Sequence, residues 1–438
     1  MKYLLTALFA ALLALPARAD IEIEEVTSPG GITAWLVEEP SIPFVSLELR
    51  FRGGASLDLP GNRGAVNLMV GLLEEGAGER DARGFAEAAE SIAASFSFDA
   101  SDDAVSVSAR FLKETQPEAL ALLRDALTAP RFDADALERV RAQVISGIRS
   151  DLKDPDSIAS AAFDRMVFGD HPYGSAREGT EDSVAALTRD DLIDAHAGVL
   201  TRDRVYVAAA GDITGEELSA LLDDLLGDLP ATGRPQPADV AVTTEAGATV
   251  VPFDTPQSVA LFGHEGIERD DPDFFAAYVM NQILGAGGFE SRLMNEVREK
   301  RGLTYGVYSY LVPKDHAALY LGRVASANDR IAEAIDVIRA EWERLAAEGV
   351  SEEELAEAKT YLTGAYPLRF DGNGPIADIL VGMQMDHLPL DYVETRNDKV
   401  AAVTLDDVSR VAERLLRPEA LHFVVVGQPE GLEATPGQ

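Results

Sequence analysis

The sequence contains no cysteine among its 438 residues. The chain therefore forms no disulfides, ligates no metal through thiolates and uses no cysteine nucleophile. Cationic side chains are also outnumbered, because 38 Lys and Arg oppose 75 Asp and Glu and the net charge is −37. Such a negative field repels nucleic-acid phosphates and anionic membrane surfaces, which argues against a nucleic-acid role.

The chain has one long apolar run, close to its first residue. Residues 4–15 are almost wholly apolar, Lys2 precedes them, and residues 17–19 (ARA) form a small-x-small pattern. This arrangement is typical of a cleaved secretory signal peptide covering residues 1–19. The alternative, an uncleaved membrane anchor, is disfavoured because the run is shorter than the ~20 apolar residues of a spanning helix. We therefore expect a periplasmic protein that does not insert into the membrane after cleavage.

Histidine is scarce as well, with six residues in the chain. No two of them lie within ten residues of each other, so no short segment offers the imidazole pair of local metal motifs. They are His171, His196, His264, His316, His387 and His422. We interpret His171, which precedes Pro172, as a loop-packing residue and not as a ligand.

The remaining composition is that of a folded protein of two domains. Hydrophobic residues make up 46% and charged residues 26% of the chain, a normal globular mixture. A length of 438 residues is too great for one ordinary domain and suits two of roughly 200 residues each.

Two segments repeat each other at a fixed distance along the chain. Residues 187–191 (LTRDD) lead through a helical stretch to residues 205–211 (VYVAAAG). Residues 403–407 (VTLDD) lead in the same way to residues 421–427 (LHFVVVG), and both pairs are separated by 216 residues. In each copy a threonine followed by acids predicts a helix N-terminus, and the glycine ends a buried, β-rich strand.

Further parts of the two halves correspond. Residues 45–51 and 258–262 are predicted as half-buried strands, and residues 135–148 and 353–365 as helices that each follow an acidic cap. In both halves the predicted order of elements is strand, helices, strand, long helices, helix, strand. The predicted fold class is α+β, with two homologous α/β-layered domains related by pseudo-two-fold symmetry. Each domain is an antiparallel-rich sheet packed by helices.

A segment rich in proline and glycine separates the two halves. Residues 227–246 have the density of breakers that is typical of a linker. We predict an N-terminal domain over residues 20–226, this linker, and a C-terminal domain over residues 247–438. Because the linker is short, we expect the domains to face each other across a cleft and not to behave as independent beads.

The second half contains a glycine-rich run, residues 285–288 (GAGG), before a basic and aromatic stretch. No P-loop lysine follows it at the required spacing. The run predicts a flexible turn that caps a helix over residues 291–300, and Gly302 is predicted to end that helix. Tyr305 is predicted to open a strand over residues 305–310.

Several landmarks of the first half have a specific order, namely residues 62–71 (NRGAVNLMVG), the pair Asp154-Pro155, and residues 168–174 (FGDHPYG). With them the chain resembles the insulinase/pitrilysin family of zinc metallopeptidases, the inverzincins, over nearly its whole length after residue 19. In active members the helix after the glycine that matches Gly64 carries His-x-x-Glu-His. The two histidines of that motif bind zinc, its glutamate takes a proton from the metal-bound water, and a later glutamate completes the ligand set.

This chain departs from that motif at every expected ligand. Asn67 stands at the first histidine position, Val70 at the glutamate position and Gly71 at the second histidine position. Residues 143–148 (QVISGI) contain no carboxylate where the family has its distal ligand. Asparagine is a poor zinc ligand, and valine and glycine cannot ligate through their side chains. The resemblance thus implies a degenerate metal site, with no zinc or other cofactor held by this chain.

The second half retains a different family element. Arg298 and Tyr305 match the family's arginine/tyrosine pair, seven residues apart and after its glycine-rich turn. The resemblance implies that Tyr305 donates a hydrogen bond to the scissile carbonyl or its developing oxyanion, and that Arg298 holds substrate or neighbouring backbone. Taken singly, each residue has a structural explanation that involves no function. Arg298 lies in a basic cluster at a helix C-terminus, where it complements the helix dipole, and Tyr305 would be an ordinary aromatic residue of a strand.

The loss of one half-site and the retention of the other predict a subunit that is inactive alone. We expect the substrate-binding, non-zinc subunit of a heterodimeric periplasmic metallopeptidase, which contributes Arg298 and Tyr305 to a zinc-bearing His-x-x-Glu-His partner. The alternative is a non-proteolytic structural or chaperone-like member, comparable to the family's core proteins of respiratory complexes. A self-sufficient hydrolase is a third reading, disfavoured because no cysteine, Ser/His/Asp or Gly-x-Ser-x-Gly signature is present.

Overall fold

The computed structural model describes residues 21–435 of the chain. The signal peptide predicted over residues 1–19 lies outside the described residues. Among those described, no helix is both long enough and apolar enough to cross a bilayer.

The first half is built on a six-stranded sheet with the order β1-β2-β8-β3-β7-β6. Its strands β2 and β8 are parallel, and all other neighbours are antiparallel. The strands are β1 (Glu24–Thr27), β2 (Thr33–Glu38), β3 (Phe44–Arg52), β6 (Ser95–Ala100), β7 (Ala104–Leu112) and β8 (Val205–Gly211), with a separate short ribbon of β4 (Gly76–Ala77) and β5 (Arg80–Asp81).

The second half repeats this sheet. Its order is β9-β13-β10-β12-β11, in which β9 and β13 are parallel and the rest antiparallel. Taken in order across the sheet, these five strands correspond to β2, β8, β3, β7 and β6 of the first sheet. The first sheet has one additional strand, β1, at its edge. The strands are β9 (Gly247–Pro252), β10 (Gln257–Glu265), β11 (Val307–Pro313), β12 (Ala318–Ala327) and β13 (His422–Gly427). The predicted fold class is confirmed.

Helices surround both sheets and contribute a large part of the two apolar cores. In the first half they are α1 (Ala65–Val70), α2 (Ala82–Ser91), α3 (Gln116–Thr128), α4 (Ala134–Asp151), α5 (Pro155–Phe168), α6 (Glu181–Ala186), α7 (Arg189–Val199) and α8 (Gly215–Leu226). In the second half they are α9 (Phe274–Asn281), α10 (Ile331–Glu348), α11 (Glu352–Ala365), α12 (Asn373–Met385), α13 (Tyr392–Ala402) and α14 (Leu405–Leu415).

The repeated threonines cap equivalent helices. The hydroxyl of Thr188 accepts from the backbone N–H of Asp191 at 3.3 Å at the start of α7, and Thr404 accepts from Asp407 at 3.2 Å at the start of α14. Each aspartate accepts in return from the threonine N–H, at 2.8 and 3.0 Å. These reciprocal capping boxes satisfy backbone donors that have no partner within the helix. The sequence repeat is thus reproduced in individual hydrogen bonds.

Two equivalent helices cross between the halves. Helix α5 belongs to the first half but packs on β10 and β13, with Phe163 fully buried against that second sheet. Helix α12 belongs to the second half and packs on β3 and β8, where Leu380 and Val381 are buried. Both faces of each sheet are therefore covered, and β3 and β10 are buried along most of their length. The prediction of half-buried strands is wrong, because the second cover comes from the other half of the chain.

The segment between the halves is held in place by hydrogen bonds. Residues 227–246 contain no helix or strand. The guanidinium of Arg234 donates to the carbonyl of Leu57 at 2.9 Å, and the hydroxyl of Thr244 donates to the carbonyl of Ala420 at 2.7 Å. The segment is therefore attached to both halves and is not a loose tether.

The turns between β6 and β7 and between β11 and β12, which correspond in the repeat, meet each other. The ammonium of Lys314 lies 2.6 Å from a carboxylate oxygen of Asp102 and 4.1 Å from the ring centre of Tyr173. The hydroxyl of Tyr173 donates to the carboxylate of Asp103 and accepts from the backbone N–H of His316 at 3.2 Å. These contacts form a polar junction between the halves, which we call the turn junction.

Candidate functional site

The helix at the degenerate metal position begins from a backbone that requires glycine. Gly64 has φ +96°, and a Cβ there would lie 2.5 Å from the carbonyl oxygen of Glu178. The carboxylate of Asp58 accepts from the N–H groups of Gly64 and Val66 at 2.8 and 2.9 Å. This carboxylate satisfies the first donors of α1, so the helix starts where the family's metal-binding helix is expected.

The side chains that α1 presents do not fit a zinc ion. Asn67 is half-buried, and Val70 is a buried apolar residue. At Gly71 a Cβ would lie only 3.3 Å from Cγ1 of Val140, which extends from α4. Any side chain at position 71 would therefore crowd Val140, which would have to move by a few tenths of an ångström. An amide, an isopropyl group and a hydrogen replace the two imidazoles and the carboxylate, so no catalytic step through a metal is derived for this chain.

Other titratable groups near α1 are already engaged or isolated. Glu75 forms an ion pair with Arg139. Within residues 21–435, no group of three or more His, Asp or Glu side chains is arranged to hold a metal ion. The ring centres of His171 and His316 lie 6.3 Å apart at the turn junction, although 145 residues of sequence separate them. His171 also accepts from the backbone N–H of Tyr173 at 3.2 Å, which is consistent with loop packing.

The glycine-rich run of the second half begins within one π-helical segment and is followed by a second one. Gln282–Ala286 and Met294–Glu299 both have π-helical hydrogen bonding. A Cβ at Gly285 would lie 2.2 Å from the Oγ atom of Ser309 in β11, so only glycine allows the first segment to pack this closely. π-Helical turns are rare and often occur at functional sites. The predicted helix over 291–300 is observed, but most of it is a π-helix, a distinction that apolar spacing did not reveal.

Two of the three basic residues near the end of this helix have structural partners. Glu296 is 7% exposed and lies 2.6 Å from the ammonium of Lys300 and 2.7 Å from the guanidinium of Arg301. Burial acts to raise the pKa of Glu296, but hydrogen bonds from these two cations outweigh it and lower that pKa. Arg298 takes no part in this cluster, so the neutralisation of Glu296 does not explain its presence.

Arg298 is held against an aromatic ring. Its guanidinium carbon lies 4.5 Å from the ring centre of Phe289, which is itself 64% exposed. The side chain is 30% exposed, and one terminal nitrogen lies 3.5 Å from a carboxylate oxygen of Glu299. That nitrogen is buried without a hydrogen-bond partner in the part of the chain that the structure describes. Arg298 is thus held by a cation–π contact and a long ion-pair contact, and one of its buried donors forms no hydrogen bond among the described residues.

Tyr305 projects into solvent with 87% of its surface exposed. The prediction that it opens the strand is wrong, because β11 begins at Val307. The cause is Thr304, whose hydroxyl accepts from the N–H of Gly306 at 3.0 Å and lies 2.6 Å from the carbonyl of Ala325. These hydrogen bonds bend the chain before the strand starts. The structure does not pair the two candidate residues, since Arg298 contacts Phe289 and Glu299 while the Tyr305 hydroxyl has no partner among residues 21–435.

Family models match both halves of the chain. Residues 34–181 match the model described as Insulinase (Peptidase family M16), and residues 186–362 match the one described as Peptidase M16 inactive domain. The two matches adjoin each other and confirm the resemblance seen in the motifs.

Relatives align over nearly their whole lengths. A non-peptidase homolog of Helicobacter pylori, YmxG, is 27% identical over 431 residues, with 97% of this chain and 98% of the relative covered. An uncharacterized zinc protease of Streptomyces coelicolor is 26% identical over 412 residues, with coverages of 90% and 87%. The crystal structure of a peptidase M16 inactive domain from Pseudomonas fluorescens superposes with a TM-score of 0.88 at 28% identity, covering 94% of this chain and 100% of that one. The chain therefore belongs to the insulinase family, peptidase family M16.

Proposed function

We propose that this chain is the substrate-binding, non-zinc subunit of a heterodimeric periplasmic zinc metallopeptidase. It binds peptides and supplies Arg298 and Tyr305 to the active site of a partner that carries His-x-x-Glu-His. The proposal is carried by one contrast. The phenol of Tyr305 is 87% exposed, whereas the position that holds the catalytic glutamate in active members is a valine that is 3% exposed.

Tyr305 suits the stabilisation of an oxyanion that forms on a bound peptide. A phenol is a directional donor, and this hydroxyl does not have to break a hydrogen bond within residues 21–435 before it donates to a substrate. One donor of this kind contributes roughly 10²–10³ to kcat when it contacts the developing charge. Because the side chain is exposed, it is accessible to a partner molecule that packs against this surface.

Arg298 suits the binding of peptide carbonyl or carboxylate oxygens. The ring of Phe289 supports the guanidinium on one side at 4.5 Å, and one buried nitrogen has no hydrogen-bond partner in the described chain. Stacking restricts the side chain, so less conformational freedom is lost when it forms new hydrogen bonds. Zinc belongs to the partner in this proposal, because Asn67, Val70 and Gly71 do not fit it.

A structural or chaperone-like role is the second candidate. One observation favours it, namely that the relative from Helicobacter pylori is described as a non-peptidase homolog. In that role the chain binds a partner or a peptide and contributes nothing to hydrolysis.

Reconstitution with a zinc-bearing partner separates the two candidates. The chain is co-expressed with a family member that carries His-x-x-Glu-His, the complex is purified, and cleavage of an unstructured peptide is measured. We expect Tyr305→Phe to lower kcat about 100-fold with little change in KM, since the lost donor acts on the transition state. We expect Arg298→Ala to raise KM about tenfold, because it removes charge-assisted hydrogen bonds to the bound peptide.

Arg83→Ala is the matched control, since this guanidinium is 86% exposed on α2 in the first half. It should leave both constants unchanged. If Tyr305→Phe and Arg298→Ala leave turnover by an intact complex unchanged, the peptidase proposal is wrong and the structural role is favoured. Proteolysis and stoichiometric zinc in the purified chain alone would also contradict it.

A further inference from the structure

A cavity that is open to solvent on one side lies away from the glycine-rich turn, among helices of the second half. It has a volume of about 340 Å³ and is lined by α9, α12, α13 and the turn over residues 366–370. This volume is at the lower end of the range of small-molecule sites. Its walls combine aromatic rings with arginine side chains, and the principal lining residues are Phe274, Tyr278, Tyr366, Arg269, Arg369 and Arg396. We call it the arginine cavity.

The cationic charge of the arginine cavity is only partly neutralised. Two aspartates also line the cavity, and both have cationic partners: the carboxylate of Asp386 lies 3.3 Å from Arg269, and Asp378 forms an ion pair with Arg50 at 2.5 Å. The other two arginines of the cavity, Arg369 and Arg396, have no carboxylate partner within residues 21–435. These two arginines lack an acidic partner in the described structure although the chain contains 75 acidic residues and has a net charge of −37.

Arg396 is 4% exposed, and its position is fixed by the protein. It donates to the carbonyl of Leu362 at 2.7 Å and to the hydroxyl of Tyr278 at 3.3 Å, and its guanidinium carbon lies 4.4 Å from the ring centre of Tyr366. A guanidinium stays protonated in proteins, so its charge is present at every physiological pH. Neutral acceptors compensate that charge less than a carboxylate does, so the charge of Arg396 is not neutralised by an ion pair of the described residues at the cavity wall.

The hydroxyl of Tyr366 indicates independently that a hydrogen-bonding partner is missing from the described lining of the cavity. The residue is 6% exposed, and its hydroxyl is buried without a hydrogen-bond partner in the described chain. Burial raises the pKa of Tyr366 to about 12, so the hydroxyl stays protonated and is able to donate. Buried polar groups without partners are rare and each calls for an explanation, such as a bound molecule.

We propose that the arginine cavity binds a small organic anion, in which a carboxylate or phosphate group is attached to a flat apolar body. The anionic group meets Arg369 and Arg396 and accepts from Tyr366, while the apolar body packs against the rings of Phe274 and Tyr278. Guanidinium groups form paired hydrogen bonds with carboxylate and phosphate oxygens, and aromatic walls favour a flat ligand. The unpaired arginines disfavour metal ions and cationic ligands. This proposal does not rest on the peptidase role and stands if that role fails.

Titration with a fluorescent aromatic carboxylate tests the proposal on the full chain. The probes are 2-naphthoate, its neutral counterpart 2-naphthamide, and 2-naphthyl phosphate. We expect saturable binding of at least one anion, about tenfold tighter than that of the amide, because only the anions form charge-assisted hydrogen bonds. The tighter of the two anions identifies the headgroup. Equal affinity for the anions and the amide, or no saturable binding of any probe, would overturn the proposal.

Variants locate the binding within the chain. Arg369→Ala removes an exposed guanidinium of the cavity and should weaken anion binding about tenfold. The control Arg149→Ala removes a guanidinium that is 63% exposed on α4 and should have no effect. Tyr366→Phe should weaken binding about fivefold and leave the unliganded Tm unchanged or higher, because the lost hydroxyl has no partner to lose. The assignment is wrong if Arg369→Ala behaves like Arg149→Ala, or if Tyr366→Phe lowers Tm without changing affinity.

Discussion

Replacement of Asp164 by asparagine should stabilise the protein at neutral and alkaline pH. Asp164 lies on α5, the helix that the first half contributes to the second sheet, and it faces the turn junction. Its burial raises the pKa from 3.8 to about 7, while Lys314 lowers the pKa and the charge of Asp102 raises it. The folded state therefore prefers the protonated carboxyl, and ionisation at higher pH favours unfolding.

The sign of the pH dependence follows from proton uptake. Between pH ~4 and ~7 the folded chain holds a proton on Asp164 that the unfolded chain has released, so the free energy of unfolding falls as pH rises through this window. A shift of about three units corresponds to an upper limit of about 4 kcal/mol at 1.36 kcal/mol per unit. Because the side chain is half-buried and retains some contact with water, we reduce this to roughly 1–2 kcal/mol.

Urea denaturation at a series of pH values between 4 and 8 measures the effect. Asp164→Asn should match the unsubstituted chain near pH 4 and exceed its stability by roughly 1–2 kcal/mol at pH 8. Asp170→Asn, which changes an exposed aspartate just beyond the same helix, is the control and should show no growing difference. The reasoning is refuted if the advantage of Asp164→Asn does not increase with pH, or if that variant is less stable at pH 8.

Two further predictions concern the repeat and the degenerate helix. Thr188→Ala and Thr404→Ala should each lower the free energy of unfolding by about 1 kcal/mol, since each removes one equivalent capping box; clearly unequal losses in chemical denaturation would contradict that equivalence. Gly64→Ala should cost about 2 kcal/mol or more, because φ is +96° and the new Cβ would approach the Glu178 carbonyl. Gly147→Ala is its control, since a Cβ there meets nothing within 4 Å in a helix interior, and it should be neutral or stabilising by about 0.5–1 kcal/mol.

The architecture of each half was largely predictable from the sequence. The shared spacing of 216 residues identified the capped helices α7 and α14 and the strands β8 and β13. Local patterns carry this information because capping threonines, terminal glycines and apolar spacing act within a few residues. The exchange of α5 and α12 was not predictable, because the apolar pattern of a helix does not reveal which sheet it covers.

The candidate site, like the fold, was predictable from the sequence only in part. The replacement of the two histidine ligands and the catalytic glutamate by Asn67, Gly71 and Val70 is a matter of side-chain chemistry and can be seen in the sequence alone. The approach of Val140 to position 71 depends on tertiary packing and is visible only in three dimensions. The strand was predicted too early at Tyr305 because alternation does not register the hydrogen bonds of the Thr304 hydroxyl, which turn the tyrosine outward.

The exchanged helices make the two halves dependent on each other. If the chain were cut within residues 227–246, each fragment would still keep one helix seated on the sheet of the other. Separation would then strip Phe163 from the second sheet and Leu380 from the first, exposing apolar surface on both fragments. Because each half covers a sheet of the other, the two halves form one structural unit, and neither half alone is a self-sufficient module.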